Sequence, residues 1–244
     1  MTYEERAYRE TLEWRKKFRK KGSLVGRLSR SAQTKMNQLI PEGFHKAMTE
    51  AVKGMVQSVL TGSNLVFKHT IPKFDTLEER ENFIKEQQEK YRKTAMIEGA
   101  GTGAGGFLLG LADFPLLLSI KMKFLYDIAR VHGYNLRKKE ERIFLLLVFQ
   151  LAFSSNEKKV ETLRMIERWS QVKHELQDFD WRTFQQEYRD TIDLAKMLQL
   201  MPGFGAVVGA YANYQLLDQL GETALHAYRI RYFAEKEEAS AQLQ

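Results

Sequence analysis

Two stretches of this chain are almost without charge, and they limit what it can fold into more than any other feature. Residues 99 to 120 carry a single charged side chain, Asp113, in 22 positions, with six glycines in the first 14; residues 197 to 217 carry none in 21. Together they hold nine of the sixteen glycines. A glycine inside a helix costs about 1 kcal/mol relative to alanine, so this concentration requires compensation from close backbone contact. Gly99/Gly103, Gly101/Gly105, Gly106/Gly110 and Gly205/Gly209 recur at i, i+4, with Ala100/Ala104 and Ala206/Ala210 beside them. That spacing makes a smooth groove on a helix, and with Gly203 these glycines are expected to be helix-packing residues. Tight packing in a helical domain and entry into a membrane would both supply the contact. The spacing GxGxxxG occurs at Gly99, Gly101 and Gly105 and again at Gly203, Gly205 and Gly209, offset by 104 residues, a weak internal repeat.

Both stretches reach the ~20 residues that span a bilayer, but glycine adds little to insertion. In the first, Asp113 would lie mid-membrane at a cost of about 2.5–3.5 kcal/mol, with Pro115 breaking the helix beside it. Asp113-Phe114-Pro115 therefore reads as a bend, and a half-inserted hairpin or a buried helix-turn-helix fits better than a span.

Elsewhere apolar residues recur at helical spacing, and no run of β-branched residues alternates with polar ones. The expected class is all-α, one domain over residues 1–244: basic N-terminal helices in 1–40, a helical core in 41–238 and a polar tail in 239–244. Helices are expected over Tyr3 to Lys21, Ser29 to Ile40, Phe44 to Leu60 and Thr76 to about Ile97, the last opened by a capping box of Thr76 and Glu79. A very apolar helix is expected around Ile143 to Phe153. Two more start near Ser154, with Glu157 as capping partner, and near Asp180, and a last one covers about Glu222 to Glu238. With no cysteine, disulfide scaffolds, thiol nucleophiles and Cys-ligated metal centres are excluded. The first 25 residues lack a signal-peptide pattern, so a cytoplasmic location is expected.

Charge is concentrated at one end. The chain carries a net +7, and residues 1 to 35 alone account for all of it; the other 209 residues sum to zero. The first helix places Trp14 and Phe18 beside Arg15, Lys16, Lys17, Arg19, Lys20 and Lys21, a combination suited to an anionic membrane surface. The alternative is that the two rings dock on the protein and the cations are solvated. Nucleic acid is disfavoured as a partner, because no recognised binding fold or stacking motif accompanies the patch.

No constellation announces a reaction. Gly101, Gly103 and Gly106 satisfy GxGxxG, but residues 89 to 98 ahead of them read as helix and not strand, so the dinucleotide-binding context fails. There is no HExxH and no GxSxG, and neither a metal nor a cofactor is expected. Asp113, Asp127, His132, Asp218, Glu222 and His226 are the acids and histidines weighed for catalysis. Glu222 and His226 stand one turn apart, close enough to share a proton, although a surface hydrogen bond accounts for such a pair. Asp113, alone within an apolar run, is a helix cap in the simple reading, and a hydrolase-type centre with His132 or His226 in the rival one.

Several segments together resemble the EcsC family, bacterial proteins whose namesake is encoded beside the ATPase and permease subunits of an ABC transporter. They are "LEWRKK" (12–17), "LIPEGFHKAMTEAVKGMVQSVLTGS" (39–63), "EGAGTGAGGFLLGLADFPLLL" (98–118), "YDIARVHGY" (126–134) and "MPGFGAVVGAYANY" (201–214). The glycine-rich block followed by Asp113-Phe114-Pro115 is the most specific. The resemblance implies a helical protein of a Gram-positive bacterium, cytoplasmic or peripheral on the inner face of the membrane, and functionally associated with an ABC transporter, whose subunits are the expected partners. It supplies no catalytic residues.

Overall fold

The computed structural model describes residues 1–24, 42–63, 70–104, 114–175, 184 and 205–242, and every regular element among them is a helix. In chain order these are α1 (Tyr3–Leu24), α2 (Glu42–Thr61), α3 (Leu77–Ala104), α4 (Phe114–Val131), α5 (Lys139–Phe153), α6 (Asn156–Glu167), α7 (Trp169–Val172) and α8 (Gly205–Gln242). The expected all-α class holds. The expected helices at Ser29 to Ile40 and from Asp180 lie outside the described residues, Phe184 excepted.

The centre is α5, in which every residue from Glu141 to Phe153 is buried. A helix apolar around most of its circumference must be enclosed by others, as this one is. Its aromatic residues knit the neighbours together: Phe144 packs edge-on against Trp169 and Tyr228, and Phe149 edge-on against Phe153 and tilted on Phe184.

The longest contact is between α3 and α8, which run antiparallel: Glu81 meets Arg229, Gln88 meets Asp218, and Arg92 stacks on Tyr214. Glycine permits the approach, since a Cβ at Gly221 would press into the side-chain amide of Gln88. Helix α1 is also antiparallel to α8, with Glu4 at Tyr232 and Lys236, Glu10 at Arg229 and Thr11 at His226. Helix α5 takes the same sense against α8, Glu141 meeting Arg231 and the Ala152 carbonyl meeting Gln219. Helix α4 sets Asp127 against Tyr91 and brings its end, His132 and Tyr134, onto Tyr228.

Local signals mostly act where expected. The Thr76 hydroxyl accepts from the Glu79 N–H at 3.2 Å, and the Glu79 carboxylate accepts from the N–H of Thr76 and of Asp75. Gly62 and Gly133 terminate α2 and α4 with φ of 74° and 89°, a region that suits glycine. The cap of α6 is displaced by one residue: Ser155, not Ser154, accepts from the Lys158 N–H, while Ser154 closes α5. Two boundaries move further. Helix α3 continues past Ile97 through Gly99, Gly101 and Gly103. From Gly205 onward the second glycine stretch and the last expected helix are one 38-residue element, which also takes in residues 239–242.

Candidate functional site

Among the described residues the candidate catalytic groups are not brought together. His226 faces α1, its Nδ1 3.2 Å from the Thr11 hydroxyl and its ring stacked on Trp14. His132 stacks on Tyr228. Tyr228 is two residues from His226, about 200° further round α8, so the histidines belong to different faces. Burial, and then the nearby Arg229, pulls His226 down to about 3; burial, helped by Arg80, Arg229 and Arg231, does the same to His132. Both rings are neutral at pH 7. Asp127 accepts from the Tyr91 hydroxyl at 2.7 Å, and Asp218 is engaged by Gln88 and Arg92. Glu222 is exposed whereas His226 is buried. Asp113 lies outside the described residues, and among those described no three His, Asp or Glu side chains could hold a metal ion.

The N-terminal helix divides its functions between two faces. Trp14 and Phe18 are half-buried against the core, with Phe18 beneath Lys159. Arg15 and Arg19 both bind Glu167 of α6, at 2.7 Å each. Lys16 and Lys17 remain exposed on the outer face, and the helix continues through Lys20 and Lys21. Of the expected membrane-surface set, the rings hold the helix in place, Arg15 and Arg19 are paired with Glu167, and Lys16 and Lys17 face water.

The α3–α8 register relates the two glycine stretches. The residue numbers of facing positions sum to about 306–310, as in Glu81 with Arg229 and Gln88 with Asp218. Continued along both helices, the register carries Gly99, Gly101 and Gly103 of α3 toward the Gly205 and Gly209 turns of α8. Gly105, Gly106, Gly110 and Gly203 lie outside the described residues. At the rim of this glycine end, large apolar side chains face water: Ile97 is 72% exposed and Tyr211 63%, with Met96 and Leu116 also open. Because α1 opposes α8, its basic end is directed the same way. None of the described helices is long and apolar enough to cross a membrane.

Sequence reasoning missed the buried charges. Arg229 binds Glu81 through two hydrogen bonds, of 2.8 and 2.6 Å, and Glu10 at 2.9 Å; the Tyr3 hydroxyl donates to the same Glu81. Burial works against the guanidinium, and Glu81 and Glu10 more than offset it, holding Arg229 above its ordinary value. Burial and this carboxylate push the Tyr3 phenol up to about 12. Arg231 pairs with Glu141 at 2.6 and 2.8 Å and lies 3.6 Å over the Tyr134 ring. Arg142 donates to the carbonyls of Leu60, Leu136 and Arg137, closing the exit of α2. A signal was present: Ala224 to Phe233 reads ALHAYRIRYF, apolar on all sides with no acid, so its arginines had to find partners elsewhere.

Residues 5–233 match the EcsC protein family. The chain is 47% identical over 235 residues to Protein EcsC of Bacillus subtilis (strain 168), covering 96% of this chain and 98% of that one. It is 29% identical to Uncharacterized protein YdbA of the same organism, covering 86% of each. No solved structure matches it.

Proposed function

The chain belongs to the EcsC family, and on that premise we propose that it is a non-enzymatic accessory protein, peripheral on the inner face of the membrane and working beside an ABC transporter. The observation that carries the membrane part is the convergence at one end of the helix bundle of an exposed apolar rim and the basic end of α1. Continuing the antiparallel register of α1 on α8, Lys21 stands about 9 Å from the level of Tyr211 along the bundle axis. Apolar side chains can thus enter the acyl boundary while lysines meet the headgroups. Full burial of a residue such as Ile97 is worth roughly 1.5–3 kcal/mol, and each cation near an anionic surface about 1 kcal/mol. The transporter part rests on the family resemblance, whose namesake is encoded with such a transporter.

The test is flotation of the full chain with vesicles of phosphatidylglycerol and phosphatidylcholine, or of phosphatidylcholine alone. Binding is expected to the anionic vesicles, to weaken as salt screens charges beyond about 8 Å, and to fall sharply when Lys16, Lys17, Lys20 and Lys21 are neutralised. Ile97→Glu with Tyr211→Glu should remove it. Equal binding to both vesicles would reject the electrostatic part. Absence of vesicle binding, with saturable binding to a short nucleic acid, would replace the reading altogether.

A further inference from the structure

The apolar rim is carried by α3, α4 and α8, and the stretches of α3 and α4 that lead into it are charged in one sense only. Lys90 to Ile97 and Phe114 to Tyr126 contain Lys90, Arg92, Lys93, Lys121 and Lys123 and no acid. Arg92 is engaged by Asp218 and Glu89, and Lys121 is buried. Lys90, Lys93 and Lys123 are exposed, and among the described residues none of them is in an ion pair. On α3, Lys90 and Lys93 share a face with Ile97, seven and four residues before it; on α4, Lys123 shares a face with Leu116, seven residues after it. At a rise of about 1.5 Å per residue, Lys93 stands about 6 Å behind Ile97, and Lys90 and Lys123 stand about 10 Å behind Ile97 and Leu116. Headgroups add roughly 5–8 Å to each side of the hydrocarbon core of a bilayer, and a lysine stem spans the remaining few ångströms. Apolar tips at the acyl boundary therefore put all three ammonium groups among lipid phosphates. The far end of the bundle mixes its signs, Arg137, Lys138 and Lys139 with Glu235, Glu237 and Glu238, so it lacks the field that an anionic surface selects.

On the premise of the membrane role, we propose that Lys90, Lys93 and Lys123 form a second headgroup contact, separate from α1, which binds the phosphates of anionic phospholipid and holds the bundle upright with its glycine end toward the membrane. Two cationic contacts around one apolar rim resist tilting. A single basic helix at the edge of the rim does not.

The experiment combines flotation of the full chain with single-site labels, which are unambiguous because the chain has no cysteine of its own. Lys90→Gln, Lys93→Gln and Lys123→Gln together should lower partition onto vesicles of phosphatidylglycerol and phosphatidylcholine at least tenfold at an unchanged urea midpoint. The same three positions changed to arginine should retain it. An environment-sensitive fluorophore on Leu116→Cys should shift to the blue on these vesicles, whereas one on Ser240→Cys, at the far end of α8, should not. Wild-type protein that ignores anionic vesicles overturns the membrane role and this contact with it. Undiminished binding by the glutamine variant, or lost binding by the arginine variant, overturns the contact alone. A shift at Ser240→Cys as large as that at Leu116→Cys overturns the upright orientation. Should the triple glutamine variant lose stability, the three single variants are used, each expected to weaken partition severalfold, and wild-type partition by all three overturns the contact.

Discussion

The two ends of the α3–α8 pair are built differently. At one end Glu81 and Arg229 fasten the helices, with Tyr3 and Glu10 of α1 joined to the same charges and Arg231, two residues on, holding Glu141 of α5. At the other, the helices run into glycine and alanine, no ion pair follows that of Arg92 with Asp218 among the described residues, and Ile97 and Tyr211 face water. Buried ion pairs demand particular partners, so they fix which helix lies where and in which register. Glycine faces demand only proximity. The contrast suggests that the fold is specified at the charged end, which leaves the glycine end to serve a surface role.

The comparison breaks first at Glu81. Glu81→Ala leaves Arg229 and the Tyr3 hydroxyl without the carboxylate, and removal of one partner of a buried pair costs about 3–5 kcal/mol. Urea unfolding should show that loss. Glu81→Leu combined with Arg229→Met should lose less than the single change, because no uncompensated charge remains. A single-variant loss below about 1 kcal/mol would mean that the charged end does not specify the fold.

The histidines of the same half give the next effect, set by pH. Both have folded-state values near 3, below the ~6.5 of an unfolded histidine, so the unfolded chain binds more protons between those limits. Their contribution is complete above pH 6.5 and lost as the pH falls toward 3. Between pH 7 and 5.5 the two together should remove roughly 2–3 kcal/mol. His132→Phe, which keeps a ring against Tyr228, should abolish about half of that dependence, as read from urea midpoints at the two pH values.

How far the sequence revealed this division depends on the kind of signal. Periodicity exposed the helices, because an apolar face repeats every three or four residues wherever it meets a core; Val52, Val56 and Val59 are such a face, and all are buried. The Thr76–Glu79 box was visible because both of its partners are local. Glycine misplaced the boundaries: Gly99 to Gly103 have poor helix propensity, but tertiary context carries α3 through them to Ala104. Partners distant in sequence had no local mark. Glu81 looks like any solvated acid of a charged helix, and only its meeting with residue 229, 148 positions on, makes it a buried one. The same holds for Trp14, whose stacking on His226 no spacing announces.

The crossing of α3 and α8 between the two ends should tolerate less than its charge suggests. At Gly221 the Cβ of an alanine would press on the flexible end of Gln88, which can swing aside at the loss of its 3.2 Å bond to Asp218. Alanine's helix propensity returns about 1 kcal/mol, so Gly221→Ala should be nearly neutral. Leucine cannot be met by one side chain, and Gly221→Leu should cost about 1–3 kcal/mol by forcing the helices apart. Thermal unfolding of the pair of variants reads the difference. Equal stability would show that the helices are not in close contact there.

The smallest change in stability is expected at the glycine end, and it is the sharpest test of the contrast. Ile97 and Tyr211 are mostly in water already, so Ile97→Ser with Tyr211→Ser removes little buried apolar area. Exposed substitutions of this kind stay within about 0.5 kcal/mol. If the rim serves a bilayer, the double variant keeps its urea midpoint while flotation with anionic vesicles falls severalfold, since the apolar part of the attraction is gone and the lysines remain. If the rim instead supports the fold, the midpoint itself drops by more than 1 kcal/mol equivalent. The two outcomes cannot be confused, because one moves binding at constant stability and the other moves stability first.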